Sequence, residues 1–64
     1  MVKINGEQIS ADGRTVEEYL SEAGYDKKRV AVELNGDILP KCAYADTVLK
    51  DGDSAEVVSF VGGG

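Results

Sequence analysis

The chain of 64 residues contains no histidine, no tryptophan, and only one cysteine and one proline. Without histidine it cannot assemble a Ser-His-Asp or Cys-His nucleophile, nor the mixed Cys and His ligand sets of common zinc sites. The single thiol, Cys42, cannot form an internal disulfide, so no oxidising compartment is implied. A chain this short buries only about 60% of its unfolded surface, too little for a core and a walled catalytic cavity. We therefore expect no enzyme, no catalytic residues, and no metal or cofactor bound by this chain.

Basic side chains are also scarce: seven face twelve acidic ones, for a formal net charge of -5. This charge disfavours binding to nucleic acid or to an anionic membrane surface and favours a basic protein surface as the partner. No apolar run reaches the roughly 18 to 20 residues of a transmembrane helix, and the basic-then-apolar order of a signal peptide is missing. We expect a cytoplasmic protein that acts together with protein partners.

Short alternating segments separated by Asn-Gly and Asp-Gly turns predict a sheet of about four to five strands. Residues 41–46 are expected to be irregular or briefly helical. The last strand is apolar on both of its faces, which favours a central position in the sheet. The predicted strands are residues 2–4, 8–9, 30–34, 38–39 and 55–61.

One amphipathic helix of about two turns is predicted between the second and third strands. Thr15 and Glu18 have the spacing of a capping box, so the helix should begin near Val16 and end before Gly24. Because the first and last strands are the most apolar, we expect them side by side and parallel, with the helix across one face. This α+β arrangement is the ubiquitin-like β-grasp. The predicted apolar stripe of the helix comprises Val16, Tyr19, Leu20 and Ala23.

The three terminal glycines, Gly62, Gly63 and Gly64, serve no predicted turn or helix end. Three successive glycines add backbone entropy without packing. A chain without Cβ atoms can enter a narrow channel, where the carboxylate of Gly64 can attack the α-phosphate of ATP to form an acyl-adenylate. We therefore divide the chain into a β-grasp domain, residues 1–61, and a flexible tail, residues 62–64. The alternative is a harmless glycine end.

These features resemble the ThiS family, the ubiquitin-like sulfur carriers of thiamine biosynthesis. The resemblance spans essentially the whole chain and includes the segments 35–40, 49–53, 56–58 and 60–64. Its most specific parts are the Asp51-Gly52-Asp53 turn and the two last glycines. Family members often have tryptophan four residues after the proline, where this chain has Tyr44.

The resemblance implies a carrier whose Gly64 carboxylate is adenylated by an E1-like enzyme of the ThiF type with ATP and magnesium. Sulfur from cysteine, passed on by a desulfurase as a persulfide, then converts the adenylate into a thiocarboxylate. The thiocarboxylate donates its sulfur to thiazole synthase, ThiG, for the thiazole ring of thiamine. Gly62 and Gly63 form the part of the tail that enters the partner's active site.

Two groups of residues are candidate partner-docking sites. Val58, Phe60 and Val61 cannot all point inward in an alternating strand, so we expect an exposed apolar patch on the face without a helix, unless a loop covers it. Asp51 and Asp53 belong to an acidic group in the last third of the chain, which we expect near the origin of the tail and which could steer the carrier onto a basic rim. A solvated acidic edge that prevents aggregation is an equal alternative for them.

Cys42 is interpreted as a structural or incidental thiol, because no histidine can activate it and its segment lies far from the tail in sequence. Other functions stay open beside the sulfur carrier of thiamine biosynthesis. They are a MoaD-like carrier for molybdopterin synthesis, a covalent modifier of lysine amines like ubiquitin, and a non-catalytic β-grasp interaction module.

Overall fold

A computed structural model describes residues 1–60, and residues 61–64 lie outside the described part of the chain. All five predicted strands are present and form one mixed sheet in the order β2-β1-β5-β3-β4. The central strands β1 and β5 are parallel, and the other neighbours are antiparallel. With one helix on the sheet, this is the predicted β-grasp. The elements are β1 Val2–Ile4, β2 Glu7–Ile9, α1 Val16–Glu22, β3 Val30–Leu34, β4 Asp37–Leu39 and β5 Ser54–Ser59, with short 3-10 helices at Lys27–Arg29 and Lys41–Ala43.

Two Asn-Gly turns close the hairpins β1-β2 and β3-β4. Asn5 and Asn35 have φ angles of 51° and 52°, and the glycines that follow them have φ angles of 84° and 89°. Positive φ at both central residues defines the type I′ turn, whose twist matches that of the two strands. The sequence prediction of both turns is thus confirmed, and each turn fixes the register of its hairpin.

The helix begins as predicted, with a complete capping box. The Thr15 hydroxyl accepts a hydrogen bond from the Glu18 N–H, and the Glu18 carboxylate accepts one from the Thr15 N–H. Gly24, with a φ of 84°, follows the end of the helix. The expected burial of Ala23 is wrong: this residue is exposed. The helix ends at Glu22, so the chain turns away before a fourth apolar position returns to the sheet.

The core lies between α1 and the inner face of the sheet. Irregular residues after β4 complete it, since Tyr44 and Leu49 are among its most deeply buried side chains. Tyr44, at the position where tryptophan is frequent in the family, is 1% exposed and belongs to the core. The buried residues are Val2, Ile4, Ala11, Val16, Leu20, Val30, Val32, Tyr44, Leu49, Ala55 and Val57.

The only α-helix within residues 1–60 has seven residues, so the described part of the chain has no helix that is long and apolar enough to cross a membrane.

Candidate functional site

Strand β5 leads the chain from the centre of the sheet to its last residues. Its Ser59 pairs with Val30 at the start of β3, and the N–H of Phe60 donates to the carbonyl of Arg29 over 2.7 Å. The backbone is therefore held by the sheet up to the last described residue. The predicted site residues Val61, Gly62, Gly63 and Gly64 lie outside the described residues. We call the end of the molecule at Phe60 the tail end.

The sheet face opposite α1, its outer face, is apolar near the tail end. Along β5, Ala55 and Val57 are buried, whereas Val58 and Phe60 are 56% and 55% exposed. Ala31 of β3 pairs directly with Val58 and so lies on the same face. Both described members of the predicted apolar patch therefore point to solvent, as alternation requires.

Charged side chains occupy the middle of the same outer face. Glu33 of β3 and Glu56 of β5 pair directly across the strands, and both are exposed. The exposed Ile38 of β4 pairs with Glu33 on the other side. The outer face is thus neither wholly apolar nor lined with charges: Val58 and Phe60 lie towards the tail end, and Ile38 is a further exposed apolar side chain beside Glu33.

The acidic docking candidates lie at the opposite end of β5. Asp51 and Asp53 precede Ser54, and Phe60 is six residues further along the extended chain, about 20 Å from Ser54. Their expected position near the start of the tail is therefore wrong, because a strand carries sequence neighbours to opposite ends of a sheet. Docking through them stays a prediction.

Both carboxylates have partners within the fold. Asp53 accepts hydrogen bonds from the Lys50 N–H at 2.9 Å and from Asn35 Nδ2 at 3.1 Å, which closes the turn before β5. Asp51 accepts one from the Met1 ammonium group, to which Asp12 also binds at 3.1 Å.

Ion pairing at the Met1 end shifts two pKa values in opposite directions. The hydrogen bond from the Met1 ammonium group lowers the pKa of the Asp51 carboxyl, and the bonds to Asp51 and Asp12 raise the pKa of the Met1 amine. Elsewhere, burial raises the pKa of the Tyr19 hydroxyl. Met1 and Asp51 lie at the end of the sheet opposite to Phe60, so their shifted pKa values have no bearing on chemistry at the tail.

Sequence reasoning missed a group of cations at the tail end, which we call the basic cluster: Lys27, Lys28, Arg29 and Lys41. The run of three cations was visible as a basic turn, but its position beside the tail follows only from the antiparallel pairing of β3 with β5. The Lys41 ammonium group joins this run by donating to the Lys28 carbonyl over 2.9 Å. The exposed Cys42 follows Lys41 at the same end of the sheet, although it is remote from the tail in sequence.

No group of three or more His, Cys, Asp or Glu side chains in residues 1–60 is arranged to hold a metal ion. The described residues form a sheet whose central strand ends at Ser59, and an apolar surface and the basic cluster lie beside the tail end at Phe60. The five-stranded mixed sheet, the parallel central pair and the single crossing helix define a ubiquitin-like β-grasp protein.

Comparisons with known proteins identify the family. The family model described as "ThiS family" matches residues 2–64, and the chain belongs to this family. A sulfur carrier protein ThiS from Thermus thermophilus is 42% identical over 64 residues, which cover 100% of both chains. The crystal structure of a thiamine biosynthesis protein, ThiS, from Geobacter metallireducens has a TM-score of 0.77 and 37% identity, covering 98% of this chain and 97% of that one.

A second kind of relative is much longer. A thiazole synthase from Paramagnetospirillum magneticum is 48% identical over 62 residues, which are 95% of this chain and 19% of that protein. The chain therefore spans about one fifth of that relative's length.

Proposed function

We propose that this chain is a sulfur carrier of thiamine biosynthesis, which partner enzymes use as a co-substrate and which is not itself a catalyst. The observation that carries this proposal is the match of the ThiS family to residues 2–64, a range that includes the three terminal glycines. The described fold supports it, because the central strand holds the chain up to Phe60, only four residues before Gly64. The same match favours the thiamine pathway over the MoaD-like alternative.

The chemistry begins at Gly64. A carboxylate is a poor acyl donor, so one of its oxygens first attacks the α-phosphate of ATP on a ThiF-type enzyme with magnesium, and pyrophosphate leaves. A sulfur nucleophile then attacks the acyl carbon of the adenylate, and AMP leaves. Free sulfide produces the thiocarboxylate directly. A desulfurase-derived persulfide produces an acyl disulfide, which a thiol must then reduce to release the thiocarboxylate.

A thiazole synthase of the ThiG type is the proposed acceptor of the sulfur. Two thiazole synthases, from Paramagnetospirillum magneticum and Magnetococcus marinus, are similar to this chain over 19% and 20% of their own length. A carrier segment and a thiazole synthase that share one chain are expected to work in consecutive steps, since a covalent link raises their effective concentration.

Docking is proposed to use the apolar surface beside the tail. Val58 and Phe60 are more than half exposed in the free carrier, and covering them on a partner removes apolar area from water close to the reacting end. Val61, the third predicted docking residue, follows Phe60 in the sequence and lies outside the described residues. Gly62 and Gly63 then enter the partner's channel, because glycine lets the walls approach the backbone closely.

The decisive experiment follows the terminal carboxylate by intact-mass spectrometry. The purified chain is incubated with a ThiF-type enzyme, ATP, magnesium and sulfide, and the expected product has one oxygen replaced by sulfur. Deleting Gly64 should abolish this product. An unchanged mass, under conditions in which the enzyme converts its own carrier, would refute the proposal.

The docking surface is tested with two matched substitutions in the same assay. Val58→Ala should raise the KM for the carrier about fivefold, because the lost methyl groups contribute roughly 1 kcal/mol when covered. Val48→Ala is the control, since Val48 is 48% exposed but lies in the segment beside the start of α1, where it bridges to Thr15. Equal KM values for the two variants would contradict docking through Val58.

A further inference from the structure

The sign of the charge near the tail is opposite to the sign of the whole chain. The basic cluster contributes four cations, and two neighbouring carboxylates, Glu17 and Asp26, pair with it. The four cations therefore exceed these two pairing carboxylates by two charges, and of the other carboxylates that line the cleft at Lys27, Glu22 pairs with Arg14. The rest of the sequence carries ten of the twelve carboxylates and only three of the seven cations. The molecule thus has an acidic body and a basic tail end.

The fold holds this cluster close to the start of the tail. Arg29 accepts the hydrogen bond from the Phe60 N–H, so the backbone of the basic run is in direct contact with the last described residue. Lys27 is paired with Glu17 at 2.8 Å and Arg29 is near Asp26 at 3.7 Å. Lys28 and Lys41 are exposed and have no ion pair within residues 1–60, which leaves their charges available to a partner.

We propose that the basic cluster binds an acidic rim at the entrance of the tail-accepting channel on the adenylating enzyme. This proposal rests on the proposed function, since it requires a partner that receives the tail. Complementary charge at such a rim orients the carrier with its tail first and raises the association rate, while the acidic body disfavours the opposite orientation. The expected partner surface is thus acidic, although net charge alone favoured a basic one.

The length of the tail decides between an acidic rim and the phosphates of ATP. Gly64 is four residues after Phe60, and an extended chain spans at most about 3.3 to 3.6 Å per residue, so a tail fully extended in the channel would carry the reacting carboxylate up to about 14 Å from Phe60. This exceeds the Debye length of about 8 Å at physiological salt. With the tail inserted, the cluster therefore meets the protein surface around the entrance and not the nucleotide.

The test is steady-state kinetics of adenylation, measured as pyrophosphate release, with Lys28→Glu and its matched control Lys50→Glu. Both substitutions reverse the charge of one exposed lysine side chain. Lys50, however, lies in the turn before β5, at the opposite end of the sheet. At low salt, Lys28→Glu should lower kcat/KM for the carrier about tenfold through KM and leave the KM for ATP unchanged. Lys28→Arg should restore the wild-type value. The difference between the two Glu variants should shrink at about 1 M salt, where the Debye length is about 3 Å.

Each contrary result has a distinct meaning. If the two Glu variants have equal kcat/KM values while the wild-type chain is adenylated, the basic cluster does not dock and the inference is wrong, although the carrier function stands. A change in the KM for ATP would show contact with the nucleotide and would also overturn it. If the wild-type chain is not adenylated at all, the proposed function itself fails. Circular dichroism of Lys28→Glu separates a folding defect from a docking defect.

Discussion

The side chain of Asn5 extends the ladder between β1 and β5 beyond the point where β1 turns away. Its Oδ1 accepts a hydrogen bond from the Val57 N–H at 2.7 Å, and its Nδ2 donates to the Val57 carbonyl at 3.2 Å. Both bonds are part-buried, since Val57 is only 8% exposed although Asn5 is exposed, so water replaces them less easily than bonds at exposed positions. The same residue also provides the first positive φ of the hairpin turn. One asparagine thus holds both the turn and the strand that leads to the tail.

We expect Asn5→Ala to lower the free energy of unfolding by about 3 kcal/mol. The two lost hydrogen bonds contribute roughly 1 kcal/mol each, and an alanine in the left-handed region costs about 1 kcal/mol more. Glycine adopts the left-handed conformation without this cost, so Asn5→Gly should lower the free energy of unfolding by about 2 kcal/mol. A chain of this size has a total stability of roughly 3 to 10 kcal/mol, so Asn5→Ala should lower Tm by about 12 to 24 °C.

Asn35→Ala is the matched control, because Asn35 has nearly the same φ at the equivalent turn. Its side chain bonds the Ser54 N–H and Asp53 at exposed positions, where water can replace the lost groups. Asn35→Ala should therefore lower the free energy of unfolding clearly less than Asn5→Ala does. Urea unfolding followed by far-UV circular dichroism measures all three variants. If Asn5→Ala lost less than 1 kcal/mol, or no more than Asn35→Ala, the ladder argument would be refuted.

Three further predictions concern charge and the thiol. Glu33 and Glu56 repel each other across the strands, so Glu56→Lys should raise the free energy of unfolding by about 0.5 kcal/mol in urea titrations, and a loss of stability would contradict this. The raised pKa of the Met1 amine makes its bond to Asp51 stabilising below about pH 8.0 and lost as pH rises through the folded pKa. Tm should therefore fall less steeply above pH 8 in Asp51→Asn than in the wild type. Identical slopes of Tm against pH would show that the bond between Met1 and Asp51 does not stabilise the fold. Cys42→Ser should form the thiocarboxylate at the wild-type rate by mass spectrometry, and a folded variant without product would show that the thiol takes part.

Local chemistry explains which features could be predicted without coordinates. Capping boxes and Asn-Gly turns act over a few residues, so Thr15, Glu18, Asn5 and Asn35 indicated a helix start and two hairpins correctly. Strand alternation likewise indicated that at least one of Val58, Phe60 and Val61 would be exposed, and the two of them that the structure describes are exposed. The predicted burial of Ala23 was wrong, because the periodic pattern of apolar residues does not show that the helix ends at Glu22.

The positions that could not be predicted from the sequence depend on pairing between strands that are distant along the chain. Asp51 and Asp53 are near the tail in sequence, but the length of β5 puts them at the other end of the sheet. The basic cluster is far from the tail in sequence, yet the pairing of β3 with β5 brings Arg29 into contact with Phe60.

The amino-acid sequence by itself therefore determined the strands, the helix, the turns and the glycine end, because each depends on residues that are neighbours along the chain. Only the tertiary structure decided which charges and apolar side chains surround the start of the tail. Strand pairing joins residues about thirty positions apart, such as Arg29 and Phe60, and separates others that are close in sequence. The surface presented to a partner is a property of that pairing.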